Sequence, residues 1–134
     1  MDGRKILVVD DDKLILSLIR GKLQAAGYQV LTAESPSEGV TVARGANPDL
    51  FIFDINFPPD PDSRWDGFSI AEWLQHIGVR LAKPVIFITA DDTARHQSHA
   101  SQVGAAAILH KPLDFERLLA TVTECLAEAV QSAG

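Results

Sequence analysis

The sequence predicts an α/β protein: a doubly wound parallel sheet of five strands with five helices distributed over its two faces. Three observations carry that prediction. Apolar runs alternate with amphipathic segments five times along the chain. The runs "ILVV", "LFIF" and "VIFI" show no polar–apolar alternation, which is the pattern of strands covered on both faces. Polar and charged residues stand directly after these runs, where a doubly wound sheet presents its ligand site.

The first run is "KILVV" (5–9). "KLILSLIRGKLQAAG" follows, with Leu14, Ile15, Leu18, Ile19, Leu23 and Ala26 at helical spacing and Gly27 as the stop. "YQVLTA" (28–33) is a second, shorter strand. In "SPSEGVTVARG", Ser35 is placed to cap a helix, Pro36 to open it, Glu38 to complete a capping box and Gly45 to end it. "DLFIFD" (49–54) is the third strand. "DGFSIAEWLQHIG" then puts Ile70, Ala71, Leu74 and Ile77 on one helical face. "KPVIFITA" (83–90) and "GAAAILH" (104–110) are the fourth and fifth strands. A last helix begins near Asp114, with a stripe of Phe115, Leu118, Leu119, Val122, Leu126 and Ala129. No linker, repeat or low-complexity stretch interrupts this, and residues 1–134 form one domain by size.

Composition narrows the function. A formal charge of −6 disfavours a protein that grips nucleic-acid phosphates or an anionic membrane surface. Cys125 is the single cysteine, so no internal disulfide forms, and no Cys/His spacing fits a zinc site. The N-terminus lacks the pattern of a signal peptide, and no stretch approaches the roughly 20 apolar residues of a membrane span. A soluble cytoplasmic protein is the expectation.

Asp10, Asp11 and Asp12 follow the first strand, and Asp54 ends the third. Thr89 ends the fourth and Lys111 follows the fifth. Each alone reads more readily as a cap or turn residue than as chemistry. Together at one sheet edge, the carboxylates raise one another's pKa unless a cation lies among them. Lys111 offers one positive charge, so a hard divalent ion such as Mg²⁺ is the natural remainder. Phosphoryl transfer suits these parts, with Asp54 as nucleophile, Thr89 a hydroxyl and Lys111 an ammonium for the spread negative charge. Asp12 stands where the first helix begins and is expected to cap it.

The motifs "ILVVDDD", "PDLFIFDINFP", "VIFITA" and "AAAILHKPL", in this order, resemble the receiver domain of two-component response regulators over roughly residues 4 to 130. The resemblance implies a flavodoxin-like sheet of order 2-1-3-4-5 with Asp54 as phosphoacceptor. It implies Mg²⁺ held by Asp10, Asp11, Asp54 and the main-chain carbonyl of Asn56. Thr89 would bind a phosphoryl oxygen, with small Ala90 leaving that oxygen reachable, and Lys111 would form the salt bridge ahead of a cis bond to Pro112. It implies a phosphodonor, either a histidine kinase or a histidine phosphotransfer protein. It also implies an output protein bound through the face of the fourth helix, fifth strand and fifth helix. The domain is then not a turnover enzyme, but assists its own phosphorylation and dephosphorylation. The chain ends about one turn after the last helix, so output is expected by protein contact, without DNA or membrane.

Two departures from the family pattern stand out. "DINFPPDPDSRWDG" is longer than the usual spacing between acceptor and glycine, making a stiff, proline-rich loop at 57–66 that carries Trp65. It is either a tolerated surface insertion or a lid or partner-contact loop that tunes access to Asp54. Ile108 replaces the usual aromatic switch partner of Thr89, and a β-branched side chain has no ring to swing. Output is therefore expected to run through the fourth helix, "DDTARHQSHASQVG", which has little to bury. His96, His99 and His110 are expected to be solvated or structural, with His110 at the mouth of the site, and Cys125 a small core residue. Two alternatives remain: an aspartyl-phosphate hydrolase of the haloacid-dehalogenase type, disfavoured because Asn56 cannot act as general acid, and a phosphate-independent scaffold of the same fold.

Overall fold

A computed structural model describes residues 4–55, 83–90, 97–98 and 105–133, with backbone alone at 36 and 128–133. Five parallel strands form one sheet: β1 (Lys5–Val9), β2 (Gln29–Ala33), β3 (Leu50–Asp54), β4 (Val85–Thr89) and β5 (Ala107–His110). Their order is β2-β1-β3-β4-β5. The unbroken apolar runs fall on β1, β3 and β4, the three interior strands. Every residue of β3 is buried, because helices cover both faces of its strand neighbours.

Two cores lie on either side of the sheet. Ile6, Val8, Ile52, Ile86 and Ile88 face α1 (Lys13–Ala25) and the C-terminal helix (Phe115–Ala133). Leu7, Val9, Phe51, Phe53 and Phe87 face the other side, where α2 (Pro36–Ala46) packs with Val40 and Ala43. Successive strand side chains point to opposite faces, so each apolar run feeds both cores. On the second side the rings of Phe51, Phe53 and Phe87 form a tilted row with centroids 5.5 and 6.3 Å apart. At the opposite end from the site, Asp49 Oδ2 accepts the Lys5 N–H at 2.9 Å and Asp49 Oδ1 pairs with Lys83 at 3.4 Å, closing the sheet's lower edge.

Helix ends follow the local sequence. Asp12 Oδ1 accepts the N–H groups of Leu14 and Ile15 at 2.9 and 3.3 Å, capping α1. That helix stops in a Schellman arrangement, with Gly27 at φ 100° donating to Gln24 O and Tyr28 to Leu23 O. Ser35 Oγ accepts the Glu38 N–H at 3.2 Å, while Glu38 Oε2 accepts from Glu34 rather than from Ser35. The terminator of α2 is Asn47, at φ 53°, and not Gly45. Asn tolerates the left-handed region because its short polar side chain can bond locally, so the helix runs past the glycine.

The face of α1 also differs from expectation. Leu16, Ile19 and Leu23 are buried, whereas Leu14 is 65% and Leu18 42% exposed. The apolar residues of α1 extend round more than one face, and helical spacing alone fits two stripes. Three helices are described, α1, α2 and the C-terminal helix. The two others expected, in 56–82 and 91–104, lie outside the described residues, apart from helical Gln97 and Ser98.

Candidate functional site

The hydrogen-bond ladder of the sheet continues one residue beyond its strands. The Asp10 N–H donates to Ala33 O at 3.1 Å, Ile55 to Ile88 O at 3.0 Å and Lys111 to Thr89 O at 2.8 Å. The backbone carrying the polar residues is thus fixed by the sheet itself, a rigid support for a chemical site. Asp10, Asp54 and Thr89 are buried there, while Asp11 is exposed at the rim. One carboxylate oxygen from each of Asp10, Asp11 and Asp54 lies within 4.8 Å of the others.

Lys111 closes the cluster. Its Nζ is 3.0 Å from Asp10 Oδ2 and 3.3 Å from Asp54 Oδ2. It hydrogen-bonds Asp54. Toward Asp10 Oδ2 the approach is an ion pair whose direction falls short of a hydrogen bond, so this buried oxygen retains its lone pairs. Asp10 Oδ1 accepts the Asp12 N–H at 2.9 Å. The Lys111–Pro112 bond is cis, as the resemblance implies.

Burial pushes the Asp10 carboxyl above its ordinary pKa; the Asp12 N–H and Lys111 oppose that, and the charge of Asp54 adds to it. Asp11 is also raised, first by partial desolvation and then, against its own backbone hydrogen bond, by the charge of Asp10. Burial pulls the Lys111 ammonium down, but its contacts with Asp10 and Asp54 outweigh this and the net shift is upward. With all groups ionised, three carboxylates against one ammonium leave two negative charges uncompensated. The donors are all oxygen, one carboxylate is open to water and one buried oxygen has lone pairs to give. That set fits a Mg²⁺ ion, which takes one or two carboxylates and keeps several waters.

The remaining residues fall as follows. Asp12 turns its carboxylate to the N–H groups of α1 and takes no place in the cluster. Ala90 is exposed just past Thr89. Ile108 is half-buried against the Phe87 core, its register partner, and away from the carboxylates. His110 pairs in register with Thr89 and is exposed, lining a concavity on the outer edge rather than the carboxylate cluster. Asn56, Trp65, the loop 57–66, His96, His99 and the rest of the fourth helix lie outside the described residues. Cys125 is a buried core residue, as expected. Leu14 and Leu18, which share the helical spacing of Ile15, Ile19 and Leu23, lie four residues apart on the solvent face of α1. The width of the apolar arc on that helix was the signal that one pair had to be exposed.

The response regulator receiver domain model matches residues 6–123. The chain is 34% identical over 123 residues to protein PilH of Pseudomonas aeruginosa, covering 92% of this chain and 98% of that protein. It is 28% identical over 126 residues to the polar-differentiation response regulator DivK of Brucella ovis, covering 94% and 98%. Its structure is similar to the chemotaxis protein CheY4 of Vibrio cholerae, with TM-score 0.83, 29% identity and coverage of 92% and 99%. A CheY-like receiver domain protein of Methanospirillum hungatei gives TM-score 0.87, 27% identity and coverage of 98% and 99%. With its strand order, its four strand-end motifs and a match over most of its length, the chain belongs to the response regulator receiver domain family.

Proposed function

We propose that this chain is a phosphoacceptor in two-component phosphorelay signalling. Asp54 takes a phosphoryl group from a histidine kinase or histidine phosphotransfer protein, and a partner protein reads the changed surface. The observation that carries this is a buried Asp54 carboxylate with two further acids around it and Lys111 at 3.3 Å. A structural domain gains nothing from that cluster, since buried like charges cost stability.

In the transfer, an Asp54 carboxylate oxygen attacks phosphorus and the P–N bond of the donor phosphohistidine breaks. The bonding pair leaves on the imidazole nitrogen, which takes up a proton, and an aspartyl phosphate remains. Lys111 Nζ sits where it can follow the charge from the carboxylate to a phosphoryl oxygen. In this reading the Thr89 hydroxyl, at the end of β4, donates to another, and small Ala90 leaves that oxygen reachable. Asp10, Asp11, Asp54 and the Asn56 carbonyl would hold Mg²⁺, which would supply neutralising charge at the phosphoryl group. The same residues admit water later, so the domain assists the loss of its own phosphate without turning over a separate substrate. The exposed pair Leu14 and Leu18, on the helix that follows Asp10–Asp12, offers apolar ground on which a donor helix can pack.

Acetyl phosphate with Mg²⁺ is expected to label the protein once, and Asp54→Asn to abolish the label. Equal labelling of the variant removes the assignment. With a phosphohistidine protein as donor, Leu18→Glu is expected to slow labelling while acetyl phosphate labelling stays unchanged.

A further inference from the structure

The helical layer on one side of the sheet is divided by charge. On α1 the charged residues are Lys13, Arg20 and Lys22, all basic and all exposed. Among the described side chains of the C-terminal helix, Glu116, Arg117 and Glu124 are charged, and Arg117 turns to the outer edge of the sheet. The two helices lie over one core, joined by the Tyr28 and Thr123 hydroxyls at 3.5 Å. Each follows a strand of the same parallel sheet, so they run in the same direction.

Their outward faces also differ in bulk. Leu14 and Leu18 stand out from α1, and exposed Ala25 continues their line at helical spacing. The C-terminal helix presents Glu116, Ala120, Glu124 and Ala127 along one exposed line. One helix is thus basic with large apolar side chains, and its neighbour acidic with small ones. A surface of that kind is complementary to itself. A twofold axis along the cleft between the helices sets each α1 on the C-terminal helix of a second copy, in parallel. α1 opens at Lys13 and the C-terminal helix at Phe115, and counting on from both starts aligns their positions. Lys13 and Leu14 then meet Glu116 of the second copy, Leu18 meets Ala120, Lys22 meets Glu124 and Ala25 meets Ala127.

We propose that this α1 and C-terminal helix face pairs two copies of the chain, with Leu14 and Leu18 packed on Ala120 and Lys22 bonded to Glu124 of the other copy. The net charge of −6 on each copy opposes the approach. Charges beyond the face are screened over about 8 Å at physiological salt, whereas the crossed pairs act at contact, so the local match decides. In the function proposed above the same face receives the phosphodonor. A paired chain is then closed to a phosphohistidine protein while Asp54 stays open to acetyl phosphate. That regulatory consequence rests on the proposed function; the pairing does not.

Sedimentation velocity of the full chain between about 10 μM and 1 mM is expected to show a concentration-dependent dimer. NMR shifts on dilution should centre on Leu14, Leu18, Ala120 and Glu124. Lys22→Glu and Glu124→Lys should each weaken pairing by about 10-fold or more, because both crossed pairs become like charges. Their equimolar mixture, and the double variant, should pair again, a rescue that misfolded variants cannot give. A monomer at every concentration, shifts centred elsewhere, or no rescue overturns the face. Labelling by a phosphohistidine protein should slow per molecule as the parent concentration rises, and Glu124→Lys should remove that slowing. A donor rate indifferent to concentration in a chain that does pair removes the regulatory consequence. Acetyl phosphate labelling on the same samples separates the two ideas. Labelling without a dimer rejects the pairing alone, and a dimer without labelling rejects the phosphoacceptor function alone.

Discussion

Asp10 is fully buried and shares Lys111 with Asp54, so its ionised form is held at a cost. Its folded pKa lies above the ordinary carboxylate value because of burial and then, beyond what hydrogen bonds and Lys111 recover, the charge of Asp54. The sign follows from linkage: a raised folded pKa makes the ionised acid oppose folding at neutral pH. That cost is relieved as pH falls through the shifted value. Asp10→Asn is therefore expected to stabilise the metal-free protein at neutral pH by about 1–2 kcal/mol. Lys111 keeps Asp54 as its partner in that variant. The gain of stability that Mg²⁺ gives the parent should shrink or vanish in it. Thermal unfolding with and without saturating Mg²⁺ checks both, and a variant less stable than the parent in chelator contradicts the account. Asp12→Ala should instead cost about 1 kcal/mol through the lost cap and leave Mg²⁺-dependent labelling intact, while Asp11→Ala loses that labelling. The division of "DDD" into cluster and cap was legible in the sequence. A cap is read from its place before a helix, and an acid cluster from convergence of strand ends. The geometry of Lys111, closer to Asp10 than to Asp54, was not legible, because no local pattern encodes an approach across 101 residues.

Helix α2 shows how an element constrains the site it does not touch. A Cβ on Gly39 would stand 2.9 Å from Cγ2 of Val9, a fully buried residue directly before Asp10. Alanine is the better helix former by about 1 kcal/mol, but the clash meets a packed core that yields at about 1–3 kcal/mol. Gly39→Ala is expected to be net destabilising and to weaken Mg²⁺ binding by displacing β1. Gly21 in α1 has nothing within 4 Å of such a Cβ, so Gly21→Ala should stabilise by up to about 1 kcal/mol. Urea denaturation of the pair checks the contrast, and the same sign for both would refute it. Strands proved easier to read than helix faces, since "ILVV", "LFIF" and "VIFI" are buried on both sides and carry no register choice. In α1, by contrast, Leu14, Ile15, Leu16, Leu18, Ile19 and Leu23 span too wide an arc for periodicity to select the buried face. The buried centre at Leu16, Ile19 and Leu23 is set by what β1, β3 and the C-terminal helix leave open.

Across the whole molecule, the site exists only when residues from the first tenth and the last fifth of the chain meet. Asp10 leaves β1, Asp54 ends β3 and Lys111 follows β5, and the sheet order sets β3 between the other two with β4 alongside. That topology was legible as a class from five alternating apolar and amphipathic segments, and its strand order came with the family resemblance. What the order adds is energetic coupling between distant segments. Lys111→Ala leaves Asp10 and Asp54 facing each other without the ammonium between them, and removing one partner of a buried ion pair typically costs about 3–5 kcal/mol. Two terms reduce that cost. Mg²⁺ supplies positive charge to the same oxygens, and stabilisation by a ligand grows with its concentration over Kd. Asp10→Asn removes the repulsion itself. Lys111→Ala is therefore expected to be strongly destabilising in chelator and distinctly less so in saturating Mg²⁺. The double variant with Asp10→Asn should recover much of the loss in chelator and respond little to the ion. A thermodynamic cycle of the four proteins, unfolded in urea under both conditions, measures the coupling. Additive effects in chelator would mean that Lys111 holds the fold by packing alone, and that the charge cluster does not link β1, β3 and β5.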